Sequence, residues 1–363
     1  MADIGSTMQI PEDLGIAELR QLLREARMDR DGWQIQAHLS DRHLRRILRS
    51  PAWKLTKPFR ILNIVAWRLK PDLLDDSSTE GQIQSMGSTV FEEVKSSIYI
   101  EIDNANLNAP KIAVVAQWSK DQVLSLSTNM LISQLLENGF EVLLVSACES
   151  PGPLILEEEI LRRITVIRKP NIGYDFGSWS IGLLAFSEIC QAKEVLLLND
   201  SNSGPFGPLA GLLNKMNESP YDITGLTDSL QHRFHIQSFM MHFKNNSLNN
   251  KVMIDFWQNV RSQSKKFDVV HAYELGLTSR AQGNGLYVGA IYPWNILCDY
   301  WENPSVKAWQ RLLDLGYPFI KREVTRSLTE KQITNLIATR FGESNQKDSF
   351  KEMLIQDANL HRG

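Results

Sequence analysis

Asp200 closes the apolar run EVLLLND (residues 194–200) and is followed at once by small, polar and turn-forming residues, SNSGPFGP (201–208). A carboxylate at the carboxyl end of a buried strand can bind a divalent cation, which in turn neutralises a nucleotide diphosphate and assists its departure. Hard oxygen ligands suit Mg²⁺ or Mn²⁺. The other reading is an Asx-type turn that ends the strand, helped by Asn199, Ser201 and Asn202.

Two more stretches carry residue types suited to a site. In RKPNIGYDFGSWS (168–180), Asn171 and Gly173 make a turn, and Tyr174, Asp175, Gly177 and Ser178 open a helix. The free N–H groups of that first turn can receive phosphate oxygens, and Asp175 either serves the site or caps the helix. In TDSLQHRFHIQSFMMHF (227–243), His235, Gln237 and Ser238 precede an apolar strand whose alternation would put Phe239, Met241 and Phe243 on one face. His232 and His235 resemble a metal pair, but two histidines on a loop without an acidic partner are more often solvated or hydrogen-bonded.

The elements that must position these residues follow from the hydrophobic period. KIAVVAQWS (111–119), FEVLLVSAC (140–148), ITVIRKP (164–170), EVLLLND and DITGLTD (222–228) are short runs rich in Val, Ile and Leu, separated by helical patterns such as QVLSLSTNMLISQLLENG and PLAGLLNKMNES. Strands apolar on both faces and alternating with helices predict an α/β fold with a mostly parallel sheet covered on both sides. Ligands of such sheets bind beyond the carboxyl ends of the strands, where Asp200 lies. The segment after the first strand, AQWSKDQV, has neither GxGxxG nor GxxxxGK[ST], and no GxSxG or HExxH occurs in the chain. Dinucleotide-fold, P-loop, hydrolase and metalloprotease readings are weakened accordingly.

NIGYDFGSW, LLLNDSNSGPF, HIQSFMMHF and NPSVKAWQRLLDLGYPFIKRE, in this order, resemble the rhamnan synthesis F family of bacterial glycosyltransferases over roughly residues 110–325. The order from Asn171 to Asp200 is also similar to the wider inverting GT-A superfamily. The resemblance implies a GT-A-like fold and transfer of a sugar, expected to be rhamnose from dTDP-L-rhamnose, onto a lipid-linked or growing surface polysaccharide. It implies donor binding by Asn171, Gly173, Tyr174, Asp175, Ser178, Asn199, Asp200 and Ser201, with Asp200 as the metal ligand. It places His235, Gln237 and Ser238 at the acceptor or elsewhere in the cleft, without assigning them roles. NDS supplies one carboxylate where the superfamily has two, so Asn199 or Ser201 substitutes as a weaker ligand, or metal is held loosely or not at all.

The segment HAYELGLTSRAQGNGLYVGAIYP (271–293) resembles the superfamily helix that carries the base. His271 and Ala272 stand where an acidic pair would be, and Glu274 is the surviving acid and the expected base. In YPFIKREV, Lys321 and Arg322 either contact donor phosphate or end a solvated strand.

Residues 41–70 hold nine Lys or Arg against Asp41 alone, in a chain whose formal charge is -3, and interleave them with Trp53, Leu55, Phe59, Val65 and Trp67. That mixture suits the interface of an anionic bilayer or a basic helix packed on an acidic surface. SPAWKLTKPFR (50–60) resembles a segment that often precedes bacterial glycosyltransferase domains. No nucleic-acid partner is expected from the overall charge. Three scattered cysteines form no CxxC pair, and neither a signal-peptide pattern nor an apolar run of bilayer length occurs. The expected location is the cytoplasm, peripheral on the inner face of the membrane. The expected divisions are a helical, basic region 1–73, a linker 74–97, the glycosyltransferase domain 98–328 and a helical, polar tail 329–363. A non-catalytic carbohydrate-binding or scaffold subunit of a polysaccharide assembly complex is the rival reading, favoured by the single carboxylate of NDS.

Overall fold

The computed structural model describes residues 88–263, 266–299 and 301–359. The basic segment 41–70, with the whole of region 1–73, lies outside the described residues.

The apolar runs form β1 (Tyr99–Asp103), β2 (Lys111–Gln117), β3 (Glu141–Ser146), β4 (Ile164–Arg168), β5 (Glu194–Asn199), β6 (Asn202–Ser203), β7 (Ile223–Ser229), β8 (His235–Ile236), β9 (Met240–Lys244), β10 (Val288–Tyr292) and β11 (Ile320–Lys321). The labelled helices are α1 (Val90–Val94), α2 (Leu126–Glu137), α3 (Tyr174–Ala185), α4 (Ala210–Glu218), α5 (Lys251–Gln258), α6 (Leu275–Gly283), α7 (Arg322–Ser327), α8 (Glu330–Arg340) and α9 (Lys347–Asn359).

The main sheet runs in the order β1-β4-β3-β2-β5-β9-β7-β10, with β8 paired to β7. Strands β4, β3, β2 and β5 are mutually parallel, as are β7 and β10. β9 lies antiparallel between β5 and β7, and β1 pairs antiparallel with β4 at the edge. The sheet is therefore mixed, with the expected parallel strands at its centre.

Successive residues of each central strand feed opposite layers, because side chains alternate across a sheet. Val114 and Leu197 join Trp179, Phe243 and Trp257 in one core. Val115 and Leu198 join Leu131, Leu144 and Leu312 in the other. Both faces are covered, which is why these strands read as continuous apolar runs rather than alternating ones. Helix α3 seats closely: a Cβ on Gly182 would stand 3.1 Å from Val114 Cγ1 and 3.1 Å from Val145 Cγ2, so a larger residue there requires those side chains to give by a few tenths of an ångström.

Three expectations are corrected. The domain begins before residue 98, since Val90 and Val94 of α1 are fully buried in the first core. Phe239 precedes β9 and packs with the second core, whereas Met241 and Phe243 belong to the first, so the three do not share a face. The C-terminal residues are helical as expected but are no tail. Phe350, Met353 and Leu354 of α9 and Ile333 and Ile337 of α8 enclose a third core with Phe206, Ile320 and Val324. Among the described residues, no helix is long and apolar enough to cross a membrane.

Candidate functional site

The end of β5 divides two clefts. The Asp200 backbone N–H donates to the Ala116 carbonyl at 3.2 Å, which continues the ladder with β2 and fixes where the carboxylate leaves the strand. Asp200 lines a cleft of about 720 Å³ with Gln117, Trp118, Ser119, Lys120 and Arg322. Asn199 and Ser201, one residue to either side, line a second cleft of about 350 Å³ with Tyr174, Asp175, His235 and Glu274. Strand alternation produces this division.

In the first cleft the Trp118 backbone N–H donates to Asp200 Oδ2 at 3.3 Å, and Arg322 Nη1 lies 3.4 Å from the same oxygen. The Asp200 side chain is only 14% exposed. Burial raises its pKa above the usual carboxylate range, and the Arg322 charge and the Trp118 N–H oppose that rise. Arg322 reaches the cleft because β11 pairs antiparallel with β6 and its own N–H donates to the Ser201 carbonyl at 2.9 Å. The segment FIKRE is thus stitched to NDSNS, and two motifs more than a hundred residues apart become one site. Lys321, one residue earlier, lines the second cleft.

Behind Arg322 stands a buried network. Its Nη2 donates to Ser125 Oγ at 2.6 Å, and its Nε faces Asp357 Oδ1 at 3.5 Å. Ser127 Oγ donates to Asp357 Oδ2 at 2.5 Å. Asp357 is 0% exposed and comes from α9, the segment expected to be a tail. Ser125 is also the N-cap of α2, accepting from the Thr128 N–H, so the helix start and the guanidinium share one hydroxyl.

At the rim, Trp118 Nε1 and Asn171 Nδ2 each donate to Glu149 Oε1 at 3.1 Å. The loops after β2, β3 and β4 therefore meet at one carboxylate. This positions Asn171 against the loop after β3 rather than in either cleft.

The second cleft contains most of the other expected residues. Gly173 (φ 86°) and Tyr174 (φ 53°) are both left-handed, and Tyr174 holds its ring 46% exposed at the cleft. A bulky residue with positive φ is strained, by about 1–3 kcal/mol, and such strain collects at functional positions. Asp175, in the first turn of α3, accepts from Asn199 Nδ2 at 2.8 Å, which ties the helix start to the end of β5. Besides Asn171, two expected donor residues face neither cleft. Ser178 is buried and donates to the Tyr174 carbonyl at 3.2 Å, and a Cβ on Gly173 would meet the Val90 side chain at 2.8 Å, so that glycine serves the packing of α1.

Glu274 ends a π-helical turn, Val270–Glu274, that runs into α6. Such turns concentrate at functional sites. Its Oε1 accepts the Ser238 N–H at 2.8 Å. Gln237 Oε1 accepts from Thr227 Oγ1 at 2.7 Å, and Gln237 Nε2 donates to Asn303 Oδ1 at 3.0 Å. His235 is buried, with Nδ1 2.9 Å from the Arg233 carbonyl. His232 pairs edge-on with His271, ring centroids 4.7 Å apart, rather than with His235.

These residues do not fit a divalent cation. The Asp200 carboxylate faces a guanidinium, and Asn199 Oδ1, the suggested substitute ligand, accepts the Ser201 N–H at 3.1 Å. Among the described residues there is no group of three or more His, Cys, Asp or Glu side chains that could hold a metal.

Sequence reasoning missed Trp118, Glu149 and Asp357. The first two carry no motif. Asp357 did leave a signal: MLIQDA puts an acid on the apolar face of a helix with Met353 and Leu354.

An α/β protein with a large mixed sheet flanked by helices, and clefts at the carboxyl ends of its central strands, is the class that fold and site define. The profile of the family described as rhamnan synthesis protein F matches residues 156–359, more than half of the chain, and the chain belongs to that family. The match contains Asp200, Glu274, Arg322 and Asp357. The chain is similar to the Virulence protein VirA of Vibrio anguillarum (strain ATCC 68554 / 775), 27% identical over 274 residues that cover 66% of this chain and 87% of VirA. It is also similar to an uncharacterized protein, y4gN, of Sinorhizobium fredii (strain NBRC 101917 / NGR234), 26% identical over 162 residues, 42% of each chain.

Proposed function

We propose that the protein is a GT-A-like glycosyltransferase that moves a deoxysugar, rhamnose from dTDP-L-rhamnose, onto a lipid-linked or growing cell-surface polysaccharide with inversion. Its family membership supports a role in polysaccharide synthesis. The observation that carries the reading is the divided strand end: Asp200 with Arg322 on one side of β5, and Asn199 and Ser201 with Glu274 on the other. One cleft offers a guanidinium to a leaving diphosphate and the other offers a carboxylate to an attacking hydroxyl.

In this mechanism Glu274 accepts the acceptor proton. The Ser238 N–H holds Oε1, which orients the carboxylate and leaves Oε2 to the substrate. The hydroxyl attacks the anomeric carbon through a transition state with oxocarbenium character, and the bond to the diphosphate breaks. Tyr174 presents an aromatic face to a sugar ring at the cleft mouth, while Asp175 fixes the Asn199 amide. The basic segment 41–70, outside the described residues, would bring the enzyme to an anionic membrane carrying its acceptor, at about 1 kcal/mol per Lys or Arg near the surface.

The test is incubation of the full chain with a panel of nucleotide sugars. Nucleoside diphosphate release from one of them supports transfer. The single carboxylate of NDS is what favours the rival non-catalytic, glycan-binding subunit, and glycan binding with no donor turnover would select it.

A further inference from the structure

The arrangement around Arg322 goes further than the assignment of a donor cleft. Asp200 offers a single carboxylate, and Arg322 Nη1 lies 3.4 Å from it. A dication entering there would stand beside a nearly buried guanidinium, where like charges repel strongly because water screens them poorly. The neighbouring Asn199 amide accepts the Ser201 N–H at Oδ1, donates from Nδ2 to Asp175, and lines the other cleft. The guanidinium itself is held: Ser125 receives Nη2, and fully buried Asp357 faces Nε, itself fixed by Ser127.

A planar fork locked at the wall of a cleft of about 720 Å³ is suited to a bidentate phosphate contact. Lys120, exposed on the same lining, adds a second positive charge, beside the exposed Asp121. The two carboxylates around Arg322 would leave the trio with a net negative charge if both stayed ionised. Burial favours the protonated form of Asp200, and the Arg322 charge and the Trp118 N–H oppose it.

We infer that this cleft binds the diphosphate of a nucleotide-linked substrate without a divalent cation, with Arg322 supplying the positive charge and Asp357 of the C-terminal helix holding it in place. The inference rests on the glycosyltransferase reading above. Arg322 is then a substrate-binding residue and Asp357 a positioning residue, and α9 is part of the donor cleft.

Isothermal titration of the full chain with thymidine diphosphate, uridine diphosphate and inorganic pyrophosphate, in EDTA and again in excess Mn²⁺ or Mg²⁺, tests it. The tighter nucleotide should bind with the same Kd, within about threefold, in both conditions. A charge-assisted contact is worth about 1.5–3 kcal/mol, so Arg322→Gln should weaken binding about 10- to 100-fold in EDTA, and added cation should not restore it. Arg322→Gln leaves Asp357 buried without its counter-charge, so Arg322→Lys is the companion: it keeps the charge, loses the fork, and should bind about tenfold more weakly with its melting temperature retained. Asp357→Asn should weaken diphosphate binding while leaving acceptor-side binding of a glycan unchanged, a split that general loosening of the fold would not produce.

Diphosphate binding that appears only with Mn²⁺ or Mg²⁺ would overturn the inference and leave the glycosyltransferase reading standing. Unchanged affinity in Arg322→Lys would overturn the role of the guanidinium, and unchanged affinity in Asp357→Asn that of the positioning residue. Failure of every diphosphate probe in both conditions would overturn the inference and the reading together.

Discussion

The Ser238 backbone N–H donates to Glu274 Oε1 at 2.8 Å, so one hydrogen bond ties the loop before β9 to the π-helical turn before α6. A glutamine at 274 can accept the same bond but cannot take a proton. General-base assistance is worth about 10²- to 10⁴-fold, and Glu274→Gln should lower turnover by that factor with little change in donor affinity or melting temperature. Initial rates and a thermal melt check both halves. Unchanged turnover would remove Glu274 from the mechanism and turn attention to His235 and Asp228.

Tyr174 exposes its ring at the second cleft and has φ 53°, so it contributes little burial and carries backbone strain. Glycine adopts that φ at no steric cost. Tyr174→Gly should leave stability equal or raise it by up to about 1 kcal/mol, while KM for the sugar substrate rises. A denaturant melt with steady-state kinetics measures both. Lower stability together with unchanged KM would contradict the stacking role.

Asp228 is buried at the end of β7, accepts the Trp294 N–H at 2.6 Å, and has its pKa pushed up to about 7 by desolvation. The folded state therefore holds a proton that the unfolded chain releases near pH 4, and stability should fall as pH rises from about 4 to about 7, then level off. Asp228→Asn keeps the acceptor oxygen and removes the charge. It should flatten that slope and gain up to about 4 kcal/mol at pH 8 relative to wild type, read from denaturant melts at several pH values. An unchanged slope would show that Asp228 is not its source.

The helices α8 and α9 close a core over Phe206, Ile320 and Val324. A chain ending at residue 328 should expose those side chains and lose Asp357 from Arg322, at a cost of several kcal/mol. Insolubility or a molten, unfolded-like spectrum is the expected outcome. A folded, cooperatively melting truncation would return these residues to the status of a tail.

The central strands were legible because a strand covered on both faces must be apolar throughout, and EVLLLND has no other comfortable place. Asp200 could be read as a site residue for the same reason: a carboxylate that ends such a strand stands where the sheet's ligands bind. The partner of that carboxylate could not be read. Arg322 reaches it through a two-residue pairing of β11 with β6, too short to leave a period, and Asp357 through the packing of a helix that local sequence shows only as amphipathic. Ser178 reads by residue type as a helix-start ligand, whereas it lies in the second turn of α3, past the free N–H groups, buried with its hydroxyl on the Tyr174 carbonyl. Met241 and Phe243 share a face as the alternation predicts, but Phe239 lies before the first residue of β9, so the period of the strand does not carry to it.

The most direct measurement is nucleoside diphosphate release by the purified full chain given dTDP-L-rhamnose and a lipid-linked or polysaccharide acceptor, followed by NMR of the first glycosidic product. Release should depend on acceptor, should fall about 10²- to 10⁴-fold in Glu274→Gln, and should yield a linkage of anomeric configuration opposite to that of the donor. No release from any nucleotide sugar in the panel, or a product that retains the donor configuration, would contradict inverting transfer at this site.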